Sequence, residues 1–96
     1  MTAICRLEST FTITGRGFVL IVEILEGIIH IDDFVVLPVG GVMRRERIAG
    51  VEGGRIHGPP RDVVGLMLRE LPLEDIPEVK AALQVGQLLD VEAGRP

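Results

Sequence analysis

Ser9 to Thr14 alternates, with Phe11 and Ile13 on one face and Thr10, Thr12 and Thr14 on the other, the period of a half-buried strand. After Gly15-Arg16-Gly17, the run Phe18 to Leu25 is nearly all apolar and rich in β-branched residues, as expected of a strand covered on both faces. Glu26-Gly27 reads as a turn. Ile28 to Ile31 follows as a short strand stopped by Asp32-Asp33, and Phe34 to Val39 as another, closed by Gly40-Gly41. Val42 to Val51 sets Val42, Met43, Ile48 and Val51 among arginines, the pattern of a strand with one wet face. The stretch GGRIHGPPRD is a loop, because its glycines and Pro-Pro pair leave few donors for a ladder. Val63 to Leu71 returns to strand, with Gly65 inside it as a bulge or a close backbone approach.

One helix is expected near residues 74–84, where Glu74, Asp75 and Glu78 precede Val79, Lys80, Ala81, Ala82 and Leu83, and Gly86 ends the run. Residues 87–92, QLLDVE, supply a closing strand. Six or so short strands joined by turns predict an all-β chain: a six-stranded closed barrel with one short helix, in a single domain over residues 1–96.

Composition sharpens this picture in two ways. Apolar residues make up 47% of the 96, with three Phe and no Trp or Tyr, so Val, Ile and Leu must build the core. The net charge of −4 argues against binding nucleic acid by bulk electrostatics, yet Arg44, Arg45, Arg47, Arg55 and Arg61 face only Glu46 and Glu52 in their segment. A small basic patch on an acidic body is the expectation. The lone Cys5 excludes an internal disulfide and a cysteine zinc site. No cationic leader and no apolar run near ~18 residues is present, so a soluble, cytoplasmic protein without membrane contact is expected.

The chemistry-bearing residues are sparse. Gly15-Arg16-Gly17 fails the dinucleotide pattern at its third glycine and precedes a strand instead of a helix, so it is a turn and no nucleotide site is expected. His30 and His57 have no second ligand at metal-binding spacing. Asp32-Asp33 and Glu74-Asp75 are sequence neighbours, which point apart on a strand and make poor acid–base pairs. Ser9, the only serine, has no base at a recognisable spacing. These residues predict no enzyme, no cofactor and no metal.

The segments FTITGRG, EGIIHIDDFV, GVEGGR, DVVGLMLRE and VGQLL occur in an order and spacing that resemble the second domain of the translational GTPases, over residues 8–92. The resemblance implies a six-stranded barrel without catalytic chemistry, whose relatives contact the 3′ end of tRNA and ribosomal RNA. It implies that Glu52 and Arg55 stand where the family contacts the terminal adenosine, and that Gly15-Arg16-Gly17 is a strand connection. Gly53 and Gly54 replace the large apolar residues usual between those two positions, removing stacking surface worth on the order of 1–3 kcal/mol per base.

The expected function is therefore a non-catalytic binding module without a GTPase domain, contacting tRNA, rRNA or a translation-related protein through Glu52, Arg55, Arg44, Arg45 and Arg47. The alternative is a protein-interaction or structural subunit that has lost nucleic-acid binding. Mean hydropathy of +0.40 is high for so small a domain and predicts a homodimer. The candidate interface residues are Ile28, Ile29, Ile31, Ile76, Val79 and Leu83.

Overall fold

A computed structural model describes residues 2–15, 17–53 and 62–94 of the chain. Seven strands run antiparallel in one sheet: β1 (Ala3–Ile13), β2 (Gly17–Gly27), β3 (Phe34–Val39), β4 (Val42–Arg47), β5 (Gly50–Gly53), β6 (Val63–Leu68) and β7 (Leu88–Glu92). Their order is β4-β3-β7-β1-β2-β6-β5, and the sheet curls through 189° into a half-barrel. This corrects the expected closed six-stranded barrel.

The reason lies at Ile48-Ala49. What reads in the sequence as one strand, Val42 to Val51, breaks there because Ile48 turns fully into the core. Ile48 exchanges backbone bonds with Asp32 and Asp33 beside β3, whereas the Ala49 amide donates to Met67 of β6. Consecutive segments thus pair with opposite ends of the sheet. The chain itself joins the two edge strands at this corner, and no ladder runs between them.

Two other strands differ from expectation. Ile28 to Ile31 forms no strand, because Gly27 at φ 80° and Asp32 at φ 77° bend the chain on either side of it. Within that bend the Asp33 carboxylate accepts the His30 amide at 2.9 Å and, across the fold, the Gly94 amide at 3.3 Å. The strand expected from Val63 to Leu71 stops at Leu68. The Gly40-Gly41 hairpin matches its reading: both glycines have positive φ, as a two-residue turn between paired Val39 and Val42 requires.

Core side chains come from one face of the sheet: Cys5 and Leu7 of β1, Phe18, Leu20 and Val22 of β2, Val35 and Leu37 of β3, Leu66 and Leu68 of β6. A 3₁₀ turn (Leu73–Asp75) leads into α1 (Ile76–Ala82), with Pro77 tolerated in the first turn, where a missing N–H costs nothing. Ile76, Val79 and Leu83 fall on one side of this segment and lie in the core. Each such side chain contributes about 1.5–3 kcal/mol by leaving water. Their burial removes all three from the expected dimer surface. Ile29, at 8% exposure, is also interior, which leaves Ile28 and Ile31 exposed.

Candidate binding cleft on the outer face

A β-bulge creates the site. Along β1, Ala3, Cys5 and Leu7 point to the core, but the register with β2 shifts between Leu7 and Ser9. One extra residue in a strand exchanges its two faces. Beyond the shift, Phe11 therefore stands opposite Val19, and Ser9 opposite Ile21, on the outer face of the sheet. The alternation of Phe11 and Ile13 was legible in the sequence, but the face they occupy is the one away from the main core.

This outer face carries its own apolar cluster. Val19 pairs with Met67, and Met67 with Gly50; Ile21 pairs with Gly65, and Gly65 with Glu52. Val19 and Met67 are almost fully buried, at 3% and 4%, although they belong to the opposite side from the core. Gly65 has no side chain to fill the row between Ile21 and Glu52, so the surface dips there. The result is a cleft of about 130 Å³ bordered by Phe11, Val19, Ile21, Glu52, Gly65 and Met67.

Gly65 is thus the floor of a cleft and not a bulge, since the β2–β6 register runs through it without a shift. A Cβ added there would meet Ile21 Cδ1 and Val19 Cγ1 at 3.4 Å each. Phe11, 41% exposed, forms one wall, and the exposed Glu52 stands at the far end of the dip.

The arginines expected to form a basic patch are instead held by carboxylates. Arg44 bonds Glu46 at 3.2 Å and Asp75 at 2.8 Å, and the Asp75 bond is the main cause of a guanidinium pKa above its ordinary value. Arg45 pairs with Glu92 at 2.8 Å and lies 5.0 Å over the Phe34 ring. Arg47 bonds Glu70 at 3.0 Å and also Asp32; these two carboxylates, Glu70 foremost, raise its pKa too. Each cation on β4 therefore has an anion against it, and the field of the patch is largely cancelled at its source.

Of the five residues singled out as contacts, the structure places Glu52 at the cleft and Arg44, Arg45 and Arg47 in structural ion pairs on β4; Arg55 lies outside the described residues. Arg16, His57 and Arg61 lie outside them as well. Sequence reasoning missed Phe11, Ile21 and Met67 as site residues. Ile21 carried a signal, as an apolar residue in a strand read as covered on both faces; Phe11 was read as the buried side of a half-buried strand, and Met67 had no signal of its own.

His30 Nδ1 lies 3.6 Å from Asp33 Oδ2, a pair tied to the turn. Among the described residues no three His, Cys, Asp or Glu side chains gather to hold a metal, and no helix is long and apolar enough to cross a membrane. No known protein-family model matches the chain.

Proposed function

We propose that this chain is a non-catalytic binding module, built on a half-barrel resembling the second domain of the translational GTPases, which engages a partner protein through the cleft beside Glu52. One observation carries the reading: the three β4 arginines are each paired with carboxylates, while an apolar cleft stands open on the neighbouring face. A phosphate backbone would have to displace Asp75, Glu92 and Glu70 from these arginines, and the net charge of −4 opposes its approach. An apolar side chain pays no such penalty and gains about 25 cal/mol for each Å² it withdraws from water.

Size points the same way. A cavity of about 150 Å³ accepts a benzene-sized group, so a cleft of about 130 Å³ suits part of one side chain better than a purine nucleoside. The second reading, the 3′ end of a tRNA or a stretch of rRNA, is favoured by Glu52 bordering a cleft, as the resemblance implies for the residue that meets the terminal adenosine. The proposal also includes a two-fold pair of chains meeting at the exposed Ile28 and Ile31.

Titrating uncharged tRNA, aminoacylated tRNA and rRNA fragments at two salt concentrations separates the readings. The expected result is no RNA binding at low salt with tens of micromolar protein, together with a protein partner held by the wild type and lost from Phe11→Asp. Phe11 is exposed enough for that variant to fold. RNA binding at low salt that Arg55→Ala weakens by about 1–3 kcal/mol would transfer the assignment to RNA.

A further inference from the structure

We infer that the cleft receives an arginine side chain of the partner protein, its methylene stem lying over Gly65 and its guanidinium forked onto the Glu52 carboxylate. The inference rests on the protein-binding reading above and specifies what the cleft takes. Glu52 has no ion pair or hydrogen bond among the described residues, in contrast to the carboxylates that hold the β4 arginines. A carboxylate with no cation against it among the described residues, at the end of an apolar trough, is complementary to a side chain with an apolar stem and a cationic head.

The geometry fits such a chain. Ser9, Ile21, Gly65 and Glu52 are successive neighbours across β1, β2, β6 and β5. At about 4.8 Å per strand, the trough from Ile21 to Glu52 spans roughly 10 Å, enough for an extended arginine laid across the strands. Ile21 and Met67 flank the stem, Phe11 closes the side away from Glu52, and Gly65 adds no side chain of its own to the trough, where the tips of Ile21 and Val19 would meet the stem. A carboxylate can accept two parallel N–H bonds from a guanidinium, so the planar head suits Glu52 better than a hydrated ammonium does. Guanine can offer a carboxylate a similar pair of N–H donors, but without the positive charge of a guanidinium.

The probe is N-acetyl-arginine N-methylamide, with the citrulline analogue as its uncharged isostere, titrated into isotope-labelled protein and followed by NMR. The arginine amide is expected to shift resonances of Ile21, Gly65 and Met67 and to bind about tenfold more tightly than the citrulline amide, the worth of one charge-assisted contact. Glu52→Gln, an exposed substitution, should erase that difference, and Gly65→Ala should weaken both amides by filling the trough.

Equal binding of the two amides, discrimination that survives Glu52→Gln, or no shift at the cleft up to the solubility limit each overturns the inference. Its failure is distinguishable from failure of the parent reading. A protein partner lost on Phe11→Asp but indifferent to Glu52→Gln leaves protein binding standing and rejects the arginine; cleft-dependent RNA binding rejects the parent reading itself.

Discussion

Nη2 of Arg44 donates to Oδ2 of Asp75 at 2.8 Å, tying the edge strand β4 to the turn that begins the helical segment. The two side chains are 28% and 32% exposed, so water screens the pair only in part. Edge strands are the weakest part of an open sheet, and this contact fastens one of them to the element that covers the core. Arg44→Met should therefore lower unfolding stability by about 0.5–1 kcal/mol at low salt. Chemical denaturation at low and high salt checks it: the difference between wild type and variant should shrink as salt rises, and a difference unchanged by salt would assign the effect to packing.

Gly27 and Thr2 form a second tight contact. A Cβ on Gly27 would overlap the Thr2 carbonyl oxygen, and the φ of 80° is one that other residues rarely adopt. Gly27→Ala should cost about 3 kcal/mol or more, since the steric overlap adds to a left-handed penalty of about 1–2 kcal/mol. Gly41→Ala, also at positive φ but with nothing within 4 Å, should cost only the backbone penalty. Thermal unfolding of both variants makes the comparison, and equal losses would reject the steric account.

The buried thiol of Cys5 couples the fold to alkaline pH. Burial, with a smaller contribution from Asp90, pushes its thiol up to about 12. The native state thus keeps a proton that the unfolded chain releases near pH 9. By linkage this contribution to stability is fully present below pH 9 and is lost progressively as pH rises towards 12. The chain has no tyrosine and only one lysine, Lys80, so few other groups titrate in that window. Stability should fall steadily from pH 9 upward in the wild type and markedly less in Cys5→Ala. A disulfide reagent should label Cys5 only as fast as the protein opens.

The proposed self-association rests on a smaller surface than the sequence predicts. Ile28 and Ile31 are 66% and 53% exposed, whereas the helical isoleucine, valine and leucine are consumed in the core. Light scattering after size exclusion should give the mass of two chains for the wild type and of one chain for Ile28→Asp/Ile31→Asp. A single-chain mass across a tenfold dilution from high concentration would reject the dimer.

Local patterns determined much of this protein. The β3–β4 hairpin follows from Gly40-Gly41 between apolar runs, because only residues that accept positive φ close a turn of that length. The helix near residues 74–84 follows from acidic residues ahead of an apolar stripe, and α1 (Ile76–Ala82) lies within that stretch, with the 3₁₀ turn before it starting one residue earlier, at Leu73. Phe18 to Leu25 reads as a strand covered on both faces, and this holds for its first half, where Phe18, Val19 and Leu20 are buried, but not for Ile21, which is half-buried, or Leu25, which is exposed.

Tertiary contacts decided the rest. Whether Val42 to Val51 is one strand or two depends on Ile48 entering a core assembled from distant segments, which no local window contains. The face taken by Phe11 depends on a register shift at Leu7 and Ser9 that only the pairing with β2 reveals. The charge of the arginine segment depends on Asp75, Glu70 and Glu92, each far away along the chain. Sequence counts formal charges, but electrostatics acts over distances in space, and folding brought an anion to each of these cations.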